Sequence, residues 1–520
     1  MTKQFTVAII GGGIGGLTLA AGLLKRNIPV TIYEAAPLFQ EVGLGLSIGP
    51  AAHRALPLIE PALRRIYDSL ITTHADSPGF ERFRETWCEV VTADDQVLME
   101  LKARPSGQTT VRRADFLDAL VALIPPERAV FGKRLVRLVE REGEGEEGVR
   151  LEFEDGTTAH ADVVIGCDGI RSTVKQFILS EEEHARATPR YSGMYGYRAV
   201  LDMPDMVAAV GEHRARVTTL YLGKGVYGVS YPIARAQQAN VGLYVLREDW
   251  EGEEWVRPAE KEDLRRDFAH MGGFVQGLVD HMPDSQQWAI FEHPSISTYA
   301  RSRVAILGDA AHASTPHMGA GAGQAIEDAH VLVELLGDPR VTHARDVVAA
   351  FKAYDAVRRP RSQRVVTSSK EQADLLCLCL DGVGAEEEKL RGSGYVRALG
   401  PNTFSTAKPG NPVILSFSEC QDCETCAHGH LRTARVSTIS TLMWTTLITS
   451  FGTRMTTFKI HDDGEFTYGA VEGEFVPPLV KWVQEEVPSL EKLVRYFPVE
   501  DFETAVRDMK SGRTVKPVLV

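Results

Sequence analysis

Basic runs are missing from this chain, and so is any apolar stretch that is both long and unbroken. Lys and Arg number 57 against 70 Asp and Glu in 520 residues, a formal net charge of -13. An acidic protein of this kind is a poor match for nucleic acid or an anionic membrane. Val7 to Leu24 is apolar, but five glycines between Gly11 and Gly16 interrupt it, which argues against a signal peptide. Ser437 to Phe451 is too short and too rich in threonine to span a bilayer. Cysteine is scarce: Cys88, Cys167, Cys377, Cys379, Cys420, Cys423 and Cys426 form an odd, clustered set. Such a set points to reduced thiols and not to a disulfide framework. With 44% hydrophobic and 24% charged residues, the expectation is a globular cytoplasmic enzyme of more than one domain.

What the chain does carry begins at Thr6. Val7 to Ile10 is a short, mostly β-branched run ending at glycine, as in a buried parallel strand. Gly11, Gly13 and Gly16 then spell G-x-G-x-x-G, Leu17 to Leu24 continues as a helix, and Val30 to Tyr33 is a second strand closed by Glu34. Gly11 suits the tight turn, Gly13 lets backbone approach a pyrophosphate, and Gly16 lets helix pack on strand. The anion then sits at a helix N-terminus, where unpaired N–H groups favour negative charge. Glu34 stands where a carboxylate accepts both hydroxyls of an adenosine ribose.

Further along, Gly43, Gly45 and Gly49 interrupt an apolar run, either as an ordinary loop or as backbone passing close to a ligand. Adjacent arginines, Arg112 and Arg113, precede an amphipathic helix. One of them can reach a cofactor phosphate, or they can pair with Asp115 or Asp118. Strand Val163 to Ile165 runs into Gly166-Cys167-Asp168-Gly169 and a helix opening near Ser172, a second strand-to-helix tip of the kind that binds ligands. From Tyr191 to about Ile296 a period-two alternation predicts an antiparallel sheet. Arg303 to Leu336 resumes the strand-turn-helix pattern, with a strand ending at Gly308-Asp309 and then Gly319, Gly321 and Gly323 leading into a long helix. A further helix is expected over Val347 to Arg361.

Three motifs thus stand in order: GGGIGG with Glu34, GCDGIRS, and GDAAHASTPHMGAGAGQAIEDA. Over about Phe5 to Ala373 the chain resembles the single-component flavin-dependent aromatic hydroxylases, the para-hydroxybenzoate hydroxylase group, and in particular its salicylate hydroxylase-like members. The resemblance implies non-covalent FAD, with Gly11, Gly13 and Gly16 at its pyrophosphate, Glu34 at the adenosine ribose, and Gly45 and Arg113 as further contacts. It implies that Asp168 and Gly169 serve FAD and the passing nicotinamide, and that Asp309 meets the ribityl chain. Gly321 and Ala322 would lie at the flavin pyrimidine edge, where a helix N-terminus stabilises the reduced anion. The implied reaction reduces FAD with NADH or NADPH, forms a C4a-hydroperoxyflavin with O2, and places one oxygen on an aromatic acid or phenol. A flavin epoxidase or dearomatising oxygenase of secondary metabolism, or a catalytically silent flavoprotein fusion, is the alternative. Many salicylate hydroxylase-like chains carry a histidine four residues before the Tyr-Pro of the sheet; here Tyr231-Pro232 is present and that position is Tyr227. A tyrosine is a poor base near neutral pH. Tyr227, Arg198 and His317 are the candidate catalytic residues, with Tyr221 as a further pocket candidate.

The implied fold is α/β: a discontinuous Rossmann-like FAD-binding domain over 1–75, 107–180 and 297–375, with a mixed or antiparallel substrate sheet inserted at 76–106 and 181–296. Expected partners are a small aromatic substrate, NAD(P)H and O2, with no nucleic acid or membrane, in a monomer or homodimer. Residues 393–520 instead resemble fragments of zinc-dependent medium-chain aryl-alcohol dehydrogenases. Cys420, Cys423 and Cys426 have the spacing of its structural zinc lobe, but the fourth ligand position is Ala434 unless His428 or His430 substitutes. No catalytic zinc set and no second G-x-G-x-x-G accompany them, leaving a decayed fusion or joined neighbouring reading frames as the two readings.

Overall fold

In this computed structural model, residues 3–39, 44–103, 107–141, 148–252, 254–283, 286–385 and 390 are described, with the backbone of short strands between 432 and 519. The chain divides into two compact units, Met1–Thr403 and Phe404–Val520.

The first unit is built on two large sheets. Val7–Ile10 is buried at every position and pairs in parallel with both Val30–Tyr33 and Val163–Gly166. Burial on both faces is what an uninterrupted β-branched run requires. The full order of this six-stranded sheet is Ala300–Arg301, Val304–Ile306, Val163–Gly166, Val7–Ile10, Val30–Tyr33 and Ala129–Val130. Helix Ile14–Lys25 packs against Gly321–Gly337, and Gly22 allows the approach: a Cβ there would meet Val333 at 2.6 Å. All three motif-bearing turns therefore leave the carboxyl ends of adjacent strands, where open α/β sheets bind ligands.

The second sheet has eight strands, ordered Val256–Pro258, Gln286–Glu292, Arg190–Asp202, Gln238–Leu246, Val226–Ile233, Thr219–Gly223, Thr86–Val91 and Val97–Lys102. It is antiparallel except where Thr219–Gly223 runs parallel to Thr86–Val91. Its far face is covered by Met203–Arg216 and Gly273–His281, which enclose a second core around Phe268, Met206 and Leu278.

The helix expected over Val347 to Arg361 runs instead over Ala344–Leu376, with Pro360 inside it. Phe351, Tyr354, Val365 and Leu376 are buried along its length, and that packing outweighs the local cost of the proline. Among the described residues no helix is long and apolar enough to cross a membrane.

In the second unit, Arg432–Arg435 and Met455–Ile460 pair antiparallel with Glu465–Val471, and Val494–Phe497 pairs in parallel with Lys516–Leu519. Ala434 lies in the first of these strands, opposite Phe466. Cys420, Cys423, Cys426, His428 and His430 lie outside the described residues, as does Gly43.

Candidate active site

The first glycine turn is fixed by close contacts. Gly11 has φ +103°, and a Cβ on it would lie 2.4 Å from the Cys167 carbonyl oxygen. A Cβ on Gly16 would lie 2.1 Å from the Gly11 carbonyl oxygen, so helix and turn can touch only through glycine. Gly13 differs, since nothing stands within 4 Å of its Cβ position. It precedes a helix whose first turn has no side-chain cap, leaving N–H groups directed into open space. Glu34 lies beside this turn, its two oxygens accepting the main-chain N–H groups of Gly12 (2.7 Å) and Ala36 (2.8 Å).

A cavity of about 580 Å³ extends from Gly13–Gly16 to the second sheet. Gly45, Arg113, Gly169, Asp309, Gly321 and Ala322 line it, as do Arg198, Tyr227 and His317. The two neighbouring arginines part company: Arg112 pairs with Asp115 at 3.6 Å, whereas Arg113 lines the cavity. Asp168 is not on the lining. Its half-buried carboxylate accepts from the Ser172 hydroxyl (2.6 Å) and from the N–H groups of Thr173 (2.7 Å) and Val174 (3.1 Å). It thus shapes the turn that presents Gly169. Tyr221 is also off the cavity; it is buried in the second core against Ser230, and burial pushes its phenol up to about 12.

Asp309 is exposed to the cavity at the start of a short helix, after Gly308 at φ +61°. Buried Asp328 holds that turn. It accepts from the Gly308 N–H (2.9 Å), from Arg358 Nε (2.7 Å) and stands 2.6 Å from His312 Nε2. Arg358 also donates to Glu327 and to the Gln324 side chain, both at 2.8 Å, tying the start of Gly321–Gly337 to the same anchor. Burial pushes the Asp328 carboxyl up, but His312 and Arg358 outweigh it and hold it below the usual carboxylate range.

On the sheet side, Tyr227 Oη and His317 Nδ1 are 2.6 Å apart and both residues are buried. Tyr244 stacks on Tyr227 at 4.8 Å, and His317 stands edge-on to both rings. His317 Nε2 and Arg198 Nε are buried and have no hydrogen-bond partner among the described residues. Burial, then Arg198, lowers the His317 imidazole to about 3. Burial raises the Tyr227 phenol well above its ordinary value. At neutral pH the pair is an uncharged imidazole and an uncharged phenol.

The family model described as "FAD binding domain" matches residues 67–369, and "NAD(P)-binding Rossmann-like domain" matches 9–39. The chain is similar to 6-methylsalicylate 1-monooxygenase of Aspergillus terreus, 43% identical over 72% of this chain and 84% of that protein. It is also similar to salicylate hydroxylase of Pseudomonas putida, 36% identical over 74% of this chain and 88% of that one. This chain belongs to the FAD-dependent monooxygenases of the salicylate hydroxylase type. A solved salicylate hydroxylase substrate complex superposes with a TM-score of 0.67 at 32% identity, covering 76% of this chain and 94% of that one.

As a member of that family the protein takes FAD as cofactor and NAD(P)H as reductant. The residues present fit the flavin. Gly13 leaves its Cβ space open, Gly319–Ala322 lead into a second helix without a side-chain cap, and Arg113 and Asp309 line the cavity between them. Tyr231, Tyr244 and Trp288, which the sequence did not mark as site residues, also line the cavity. A signal was available: residues 227, 229 and 231 alternate onto one sheet face, so Tyr231 shares the face of Tyr227.

Proposed function

We propose that this monooxygenase hydroxylates an aromatic acid or phenol bound as an anion between Arg198 and His317. The supporting observation is the Tyr227–His317 pair, 2.6 Å long, beside an unpartnered Arg198 Nε in one cavity with the glycine turns. Bound FAD would supply the redox chemistry, hydride acceptance from NAD(P)H and activation of O2, held by Gly13, Arg113, Asp309 and the start of Gly321–Gly337. A phenol is the better donor and a neutral imidazole the better acceptor, so Tyr227 donates to Nδ1. That assignment leaves the proton on Nε2. His317 is therefore a hydrogen-bond donor toward a substrate oxygen, not a base, and Tyr227 fixes its tautomer. Arg198 brings positive charge to the same oxygen and favours the ionised substrate, whose ring is richer in electrons. The uncapped start of Gly321–Gly337 faces the same cavity and favours negative charge there.

A screen of hydroxybenzoates and phenols, following NAD(P)H and O2 consumption together, tests this. Stimulated, coupled consumption by an anionic aromatic supports it; stimulation only by neutral, unsubstituted rings counts against it.

We keep the domain division at 76, 107, 181 and 297, and cytoplasmic residence as a monomer or homodimer, as parts of the same proposal. For the tail we propose dehydrogenase fragments brought in by joined neighbouring reading frames, with a decayed fusion as the alternative, without alcohol dehydrogenase activity and with Cys420, Cys423 and Cys426 forming an incomplete zinc site. Stoichiometric zinc lost on Cys423→Ser would replace this with a working site.

A further inference from the structure

We infer that Asn240 is a specificity-determining residue whose side-chain Nδ2 donates to a second oxygen substituent of the aromatic substrate. The inference rests on the aromatic hydroxylase reading and narrows its substrate class to rings bearing two oxygen groups on different edges.

Asn240 is only 8% exposed, yet it lines the cavity. Its amide orientation is fixed by chemistry. The Gly45 main-chain N–H lies 2.9 Å from it and can only donate, so the atom it meets is Oδ1. The two hydrogens of Nδ2 are left over, and among the described residues they have no partner. Asn240 lines the cavity, so these donors are available to an oxygen of a bound ligand. Gly45 cannot be replaced as the spacer, because a Cβ there would come within 2.4 Å of the Tyr231 ring. The loop carrying Gly45 is therefore seated directly on Tyr231 and Asn240.

The sheet register places this donor relative to the others. Asn240 sits opposite Tyr231, and two positions on Gly242 sits opposite Arg198. Tyr244, which packs on His317, comes two positions later on the same face. Gly242 has no side chain between them, and a Cβ there would already touch the Tyr244 ring at 3.0 Å. The Tyr244 ring therefore lies over Gly242, and Asn240 stands about 7 Å from Gly242 along the strand at strand spacing. Asn240, Arg198, Tyr244 and His317 all line the cavity on this face. One substrate oxygen then meets Arg198 and His317, and another meets Asn240 Nδ2 beside Tyr231.

The test is equilibrium binding to the holoenzyme, read from perturbation of the flavin absorbance. Benzoate and phenol are compared with 3-hydroxybenzoate, 4-hydroxybenzoate and 1,3-dihydroxybenzene. Asn240→Ala removes both Nδ2 donors and adds no charge beside an anionic ligand; Asn240→Ser, which keeps an oxygen, is the second variant should the first retain no fold. Either variant is expected to weaken the doubly oxygenated ligands about tenfold, the loss of one hydrogen bond, while singly oxygenated ligands and FAD content stay unchanged. Equal weakening of both ligand classes, no weakening of either, or loss of FAD in its place overturns the inference. A wild-type protein that binds no aromatic ligand at all overturns the hydroxylase reading itself, and this inference with it.

Discussion

The Tyr227 hydroxyl reaches Nδ1 of His317 at 2.6 Å from near the start of strand Val226–Ile233, although 90 residues separate the two in sequence. The contact joins the substrate sheet to the loop that leads into Gly321–Gly337, so ring binding and cofactor binding share a wall. Removing the hydroxyl frees the imidazole to choose its tautomer. Tyr227→Phe is expected to lower kcat/KM for the aromatic substrate about 10- to 100-fold with FAD content unchanged, the usual cost of losing a partner that orients a functional histidine. Steady-state kinetics beside a flavin spectrum measure both; unchanged kcat/KM would remove Tyr227 from the site.

The two glycines of the first turn are expected to fail differently. Gly13→Val meets nothing in the protein, so thermal stability of the apoprotein should hold while FAD retention is lost. Gly11→Ala strains a backbone at φ +103° and strikes the Cys167 carbonyl, so it should unfold the domain more easily by at least about 1–3 kcal/mol. Melting curves and flavin-to-protein ratios for the pair separate a ligand site from a packing site.

Acid should destabilise the fold well before carboxylates titrate. Burial, the largest cause in each case, lowers His74 and His293 to about 4 and His317 to about 3, from the ordinary 6.5. His74 Nε2 accepts the Thr218 N–H at 3.1 Å and cannot do so once protonated. The unfolded chain takes up these protons near pH 6.5 and the folded one does not. Stability is therefore complete above 6.5 and falls as pH drops toward 4, by at most about 1.4 kcal/mol per pH unit for each histidine. Urea unfolding at a series of pH values checks the slope, and His74→Gln should flatten it.

Asp328→Ala should be among the costliest single changes. It strips Arg358 and His312 of a buried partner and releases the Gly308 N–H. A loss of about 3–5 kcal/mol is expected, with FAD affinity falling through the displaced Asp309 turn. An Asp328→Ala protein as stable as wild type and equally yellow would show that Asp309 needs no such support.

Much of this was legible in the sequence because it depends on local chemistry. Gly11, Gly16 and Gly308 mark turns by conformational need, and the period-two runs mark the strands that carry Arg198 and Tyr227. Asp168 was legible as a tip residue, but its carboxylate is taken up by Ser172, Thr173 and Val174, an outcome set by how one short helix is capped. The Asp328–Arg358 anchor and the Gly45–Asn240 contact join segments 30 and 195 residues apart. No local pattern records such pairs. The helix beyond Arg361 escaped for the same reason, since buried residues such as Val365 and Leu376 decide that it continues past Pro360.

We propose hydroxylation of an anionic aromatic ring, at the expense of NAD(P)H, in the cavity joining Gly13 to His317. Purified holoenzyme supplied with NADH or NADPH and a hydroxybenzoate should consume reductant and O2 in equimolar amounts and release a hydroxylated product carrying one atom of labelled O2. Flavin that neither reductant bleaches with any aromatic present, or reductant oxidised with all of the O2 recovered as hydrogen peroxide, would contradict it.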